Sequence, residues 1–216
     1  MNLSPFYRLA SKDDPLKTLA RRFRGMKPPR YPSVFEAMVN AITCQQFTLT
    51  AGIRLLARLV VNLGVSIPGP GERAYAFPRP EDLAGAEVET LRQWGFSYQK
   101  ARAITDLARM VRDKQLDLEA LKACADETAI ERLRELRGVG RWTAEYTLLR
   151  GLGRVHIFPG DDVGVRNKLQ RWLDVKSRLD YEGVRKILTP WGPYGGLIYF
   201  HLLLNSLAEA SILPDR

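Results

Sequence analysis

Leu136-Arg137-Gly138-Val139-Gly140-Arg141-Trp142-Thr143 is the stretch that decides the fold, and the pair Asp161-Asp162 follows it. Ile130, Leu133 and Leu136 repeat at helical spacing before the glycines, and Trp142 to Leu152 reads as a helix after them. Gly138 and Gly140 flank one small apolar residue. Glycines so placed allow a tight hairpin with positive φ angles and no Cβ in the way. The amides of such a hairpin, with the start of the next helix, point outward together and can hold a phosphate without reading a base. Arg141 adds a charge beside them. Taken alone, Gly-x-Gly between helices also serves as a plain interhelical turn, so the rest of the chain must decide.

Composition points the same way. The chain has 216 residues, of which 45% are hydrophobic, enough for one compact body or two small lobes with a real core. Lys and Arg number 33 against 24 Asp and Glu, a net charge of +9, and the isoelectric point is near 9.8. A polyanionic partner accounts for that excess, because each phosphate neutralised releases counterions. A merely solvated basic surface is the bland alternative. The two cysteines, Cys44 and Cys124, offer neither a disulfide framework nor a Cys-x-x-Cys metal pair, and two histidines make a zinc site a poor expectation. No basic-then-apolar leader opens the chain and no apolar run reaches membrane-spanning length, so the expectation is an intracellular, reducing setting with no membrane partner.

The patterning is helical almost throughout, which predicts an all-α fold of roughly ten helices. Asp14-Pro15 reads as an N-cap with proline at the first helical position, in a segment that Gly25 ends. Ser33-Val34-Phe35-Glu36 is a capping box. Leu49, Ile53, Leu56, Val60 and Leu63 recur at three- and four-residue steps and are read as a helix that Gly64 stops. Residues 64–80, with Pro68, Pro70, Pro78 and Pro80, are read as a surface loop. Residues 155–160 are read as a short extended segment, after which Asp161 or Asp162 caps a helix running to Leu173. Asp180 caps the next helix, Pro190-Trp191 breaks it, and a last, apolar helix from Tyr194 to Ala210 is expected to be central.

Asp162 lies 24 residues after Gly138, the length of one helix and a short return segment. At a helix N-terminus a carboxylate is favoured in its ionised form. There it can stabilise a positively charged sugar, or orient a water, while a glycosidic bond breaks; it can equally be an ordinary cap. Trp142 and Tyr146 stand four apart on one helix face, and with Trp191 and Tyr194 they supply flat rings on which an extruded base could stack. Core packing is the competing use of each ring.

Five blocks in order carry a resemblance: A-I-T-C-Q-Q-F-T (41–48), F-S-Y-Q-K-A-R-A-I (96–104), L-R-G-V-G-R-W-T-A (136–144), F-P-G-D-D-V (158–163) and P-W-G-P-Y (190–194). The chain resembles the helix-hairpin-helix DNA glycosylases, and among them the alkylpurine family (3-methyladenine DNA glycosylase II), over roughly residues 33–203. The resemblance implies two helical lobes with an active-site cleft between them: residues 31–154 with the helix-hairpin-helix, and residues 1–30 plus 155–216 with the catalytic aspartate. It implies that Asp162 is that aspartate and that Gly138, Val139, Gly140, Arg141 and Thr143 grip the backbone of double-stranded DNA carrying a damaged base. Gln45, Gln46 and Thr48 fall on the DNA-facing loop, with Gln46 at the wedge that fills the gap left by a flipped nucleotide. Trp142, Tyr146, Trp191 and Tyr194 fall around the base pocket.

Trp142 stands where strand-nicking relatives place the lysine that forms a Schiff base, so the resemblance implies hydrolysis by water alone. Two distant cysteines cannot hold the iron–sulfur cluster of other members. No cofactor or metal is expected, and a monomer suits the task. Three departures stand out: no room for the extra N-terminal β-rich domain of bacterial relatives, a polar Gln46 where some carry an apolar wedge, and Val163 where an aromatic can follow the aspartate. A non-catalytic DNA-binding module of the same motif, and a glycosylase for uracil, hypoxanthine or 8-oxoguanine, remain the alternatives.

Overall fold

The computed structural model of the protein describes residues 1–68 and 73–212. It is helical nearly throughout. Two compact units divide it: Met1–Arg30 with Gly153–Arg216, and Tyr31–Leu152. Gly153 and Arg154 therefore belong to the first unit, where the sequence reading placed them in the other.

In chain order the helices are α1 (Ser4–Ala10), α2 (Asp14–Arg22), α3 (Val34–Cys44), α4 (Leu49–Leu63), α5 (Pro80–Ala84), α6 (Val88–Gln93), α7 (Tyr98–Arg112), α8 (Asp126–Arg134), α9 (Arg141–Arg150), α10 (Val163–Trp172), α11 (Tyr181–Leu188) and α12 (Gly195–Glu209). Among the described residues twelve α-helices stand where roughly ten were expected, because α1 and α5 are too short to leave a periodic signal. The 64–80 segment is not all loop. Strands β1 (Ser66–Ile67) and β2 (Ala74–Tyr75) pair antiparallel within it. Pro70 lies outside the described residues.

Local chemistry sets most helix starts. Ser33, Thr48, Ser97, Asp162 and Asp180 each accept a backbone N–H of the following first turn. For α2 the cap is Asp13 rather than Asp14: its carboxylate accepts from the Leu16 amide, and Pro15 sits one position further in. In α4 the buried face is Gly52, Leu55 and Leu59, while Leu49 and Ile53 are 64% and 54% exposed. That helix carries leucines on more than one side, so spacing could not choose the inner one. Gly52 chose it, since a Cβ there would meet Cys44 Sγ at 2.6 Å.

In the unit of residues 31–152, α3 packs on α4, α7 and α9, and α8 and α5 complete the layer. Met38, Ile42, Ile104, Leu133, Leu148 and Leu149 form its core. In the other unit α12 packs on α10 and α2. Residues 195–202 of α12 are buried and its second half is only partly so, which narrows the expected central role to its first two turns. His201 lies there among Phe6 and Phe23, and burial lowers its pKa so that the imidazole stays neutral. Residues 155–160 form no strand. Ile157 N–H closes a turn on Arg154, and the Gly196 amide donates to Val155 O at 2.8 Å.

Candidate functional site

The hairpin between α8 and α9 is closed by the Val139 amide donating to Leu136 O at 3.1 Å. Only one glycine has the expected backbone. Gly138 has φ +75°, and a Cβ there would come within 2.9 Å of Ala103 Cβ. Gly140 is extended, with φ −89° and ψ 179°, and a Cβ would meet nothing within 4 Å. The expectation of two positive φ angles is therefore corrected to one. Gly140 is the N-cap of α9 and brings no side chain to its first turn, which begins with half-exposed Arg141. Val139 is only 7% exposed, so its side chain plugs the hairpin, and its amide is spent in closing the turn.

A second set of contacts braces this hairpin. Gln45 Nε2 donates to Gly138 O at 2.8 Å and to Thr143 Oγ1 at 2.7 Å. Thr143 is 1% exposed. Thr48 Oγ1 accepts the Ala51 amide at 3.3 Å. The side chains of Gln45, Thr48 and Thr143, expected on the DNA side, thus make framework bonds. Gln46 differs: it is exposed, with φ +57°, at the tip of the turn between α3 and α4, beside exposed Phe47.

Lys100, to which the sequence pattern assigns no role, holds that turn in place. Its Nζ donates to Thr43 O at 2.9 Å and Gln45 O at 2.6 Å, and sits 3.7 Å from the Phe47 ring centroid. Burial pulls its pKa below the usual lysine value. It serves as a C-cap for α3 from a distant helix. A lysine at helix spacing gives no hint of this, because the partners are main-chain carbonyls 55 and 57 residues away.

The four aromatic candidates fall into two groups. Trp142 and Tyr146 stack at 5.2 Å, tilted by 31°. Behind them Arg150 Nη1 donates to Tyr146 Oη at 2.9 Å, and Tyr31 Oη lies 3.5 Å from the same oxygen. Burial raises the Tyr146 pKa far above the ordinary phenol value, so the hydroxyl keeps its proton. Trp191 and Tyr194 belong to the other unit. Trp191 is 6% exposed, donates its indole N–H to Asp13 Oδ2 at 2.9 Å and packs 5.4 Å from Trp172. Tyr194 meets Phe6 edge-on at 5.4 Å. Both rings are used in packing their own unit.

Asp162, not Asp161, caps α10. Its Oδ1 accepts the Val165 amide at 2.9 Å, and its Oδ2 accepts the Tyr199 hydroxyl at 2.7 Å. The carboxylate is half-buried and fixed at a helix N-terminus. Sequence reasoning missed Tyr199, whose contact crosses 37 residues.

Charge is unevenly shared. Of the 33 basic residues, 17 lie in residues 1–30 and 153–216 with 9 acidic ones, a surplus of eight; residues 31–152 hold 16 against 15. In the near-neutral unit many cations are paired, as in Arg92–Glu89, Arg112–Asp113 and the three arginines 102, 109 and 137 around Asp106. In the other, exposed Lys12, Arg21, Arg171, Arg178 and Lys186 make no ion pair among the described residues. Among those residues no helix is long and apolar enough to cross a membrane, and no three His, Cys, Asp or Glu side chains group to hold a metal ion.

The family model described as HhH-GPD superfamily base excision DNA repair protein matches residues 39–193. A DNA-3-methyladenine glycosylase of Bacillus subtilis is 30% identical over 93% of this chain and 66% of its own length; the chain thus spans just under two thirds of that relative. The solved 3-methyladenine DNA-glycosylase of Archaeoglobus fulgidus superposes with a TM-score of 0.85 at 35% identity, over 94% of this chain and 69% of that one. The Schizosaccharomyces pombe 3-methyladenine DNA glycosylase in complex with abasic DNA shares the fold, with a TM-score of 0.75 at 24% identity, over 96% of each chain. The resemblance to the alkylpurine glycosylases and the helical fold are borne out.

Proposed function

The chain belongs to the HhH-GPD superfamily of base excision DNA repair proteins, and on that premise we propose that it is a monofunctional DNA glycosylase acting on alkylated purines. The proposed substrate is double-stranded DNA carrying 3-methyladenine or 7-methylguanine, and the proposed reaction is hydrolysis of the N-glycosidic bond by one protein molecule. The relatives named DNA-3-methyladenine glycosylases support the substrate class.

The observation that carries the reading is Asp162, a half-buried carboxylate with both oxygens hydrogen-bonded on a helix N-terminus. A base methylated on a ring nitrogen is cationic and leaves as a neutral molecule, taking the electron pair of its bond to C1′. Little acid catalysis is needed. A fixed anion beside the sugar stabilises the oxocarbenium-like carbon until water adds its oxygen there and gives up a proton. The hairpin amides and Arg141 hold the backbone, Gln46 fills the stack, and the Trp142–Tyr146 pair offers electron-rich faces to the cationic base. Trp142 is no nucleophile and the adjacent Arg141 guanidinium stays protonated, so no strand nicking is expected.

Asp162→Asn tests this. On duplex DNA containing 7-methylguanine it should release base at least about 100-fold more slowly than the parent while binding the DNA as tightly. Equal rates would remove Asp162 from the mechanism. A parent that binds but releases no base would be a binding module instead.

A further inference from the structure

Asp162 does not stand in its rotamer unaided. Its Oδ2 takes a 2.7 Å hydrogen bond from Tyr199, a residue buried to 3% exposure in the second turn of α12. The phenol is itself immobilised. Its ring meets Phe158 edge-on at 5.5 Å and Phe200 at 5.4 Å. Phe158 lies on the segment that leads to Asp162, and that segment is pressed on α12. A Cβ on Gly195 would meet His156 O at 2.7 Å and Phe158 Cβ at 3.2 Å, and Gly196 donates to Val155 O.

A capping carboxylate needs only one oxygen on the backbone, and Val165 already provides that. A hydroxyl donor at this distance to a carboxylate is a charge-assisted bond, short and strong. It also fixes the plane of the carboxylate, which a single cap bond leaves free to turn. An anion intended to stabilise a developing cation works best when it need not reorganise.

We propose that Tyr199 is a positioning residue: its hydroxyl locks the plane and the rotamer of Asp162 for the glycosidic step. The proposal rests on the reading of Asp162 as the carboxylate that stabilises the sugar. Its effect on the reaction is exerted through Asp162.

Tyr199→Phe removes the hydroxyl and keeps the ring. Base release is measured in single turnover with enzyme in excess, where the first-order constant does not depend on the folded fraction. The constant should fall about tenfold, roughly the effect of one hydrogen bond to a charged group, with the Kd for abasic-site DNA within about twofold of the parent. Incorporating 3-fluorotyrosine at 199, which restores a hydroxyl, should restore the rate. In an Asp162→Asn background Tyr199→Phe should have no further effect. A rate equal to the parent's, or an equal loss in both backgrounds, overturns the proposal. Failure of Asp162→Asn to slow the reaction would instead overturn the proposed function, so the two failures are distinguishable.

Discussion

At Gly138 the backbone turns through a positive φ and Ala103 closes off the Cβ direction; at Gly140 neither constraint exists. Two glycines two residues apart therefore answer to different demands. Gly138→Ala should lose about 1–2 kcal/mol of stability from the left-handed backbone alone, read as a Tm lower by roughly 2–8 °C. Gly140→Ala should lose no more than about 1 kcal/mol, the difference between the two residues as an N-cap, and yet bind DNA more weakly, because a methyl group there stands where a phosphate would approach the start of α9. Unchanged affinity in Gly140→Ala would mean that this face of the hairpin is not the grip. The sequence announced the glycines but not this division, since a φ angle depends on the turn and a clash depends on α7.

At the scale of elements, the turn between α3 and α4 is the part most tightly built. Gln45 ties it to the hairpin, Lys100 ties it to α7, and Thr48 starts α4. The tip so held carries Gln46 in a left-handed conformation that a glutamine rarely adopts. Lys100→Met keeps most of the apolar stem and removes the ammonium. It should cost about 1–3 kcal/mol from orphaned carbonyls, and it should weaken binding to lesion DNA more than Arg102→Gln, a change of charge on the same helix. Equal losses from the two would reduce Lys100 to a contribution to overall charge. This element shows where sequence reading stops. Thr48 as a cap is written in neighbouring residues, as are Ser33, Asp162 and Asp180. The inward aim of Gln45 and the contacts of Lys100 and Tyr199 are written in packing across 37 or more residues. Helical periodicity cannot carry that information.

For the whole molecule, the positive charge that first suggested a polyanionic partner resides almost wholly in the unit with Asp162, not in the unit with the hairpin. Overall composition gave the sign and the size, and only the division of the chain gave the place. The triple variant Arg171→Gln, Arg178→Gln, Lys186→Gln should flatten the plot of log K against log salt by up to about 0.9 for each phosphate contact removed. Arg92→Gln, Arg112→Gln and Lys122→Gln, whose charges are already matched locally by Glu89, Asp113 and Glu119, should leave the slope unchanged. Identical slopes for the two triples would show that only total charge matters.

A polyanion pulls on net charge over distances longer than any hydrogen bond. With the surplus carried by one unit, attraction at long range acts mainly on that unit, and the almost neutral unit contributes through short-range contacts. Long-range capture and close inspection would thereby respond to different variables, the first to ionic strength and the second to shape.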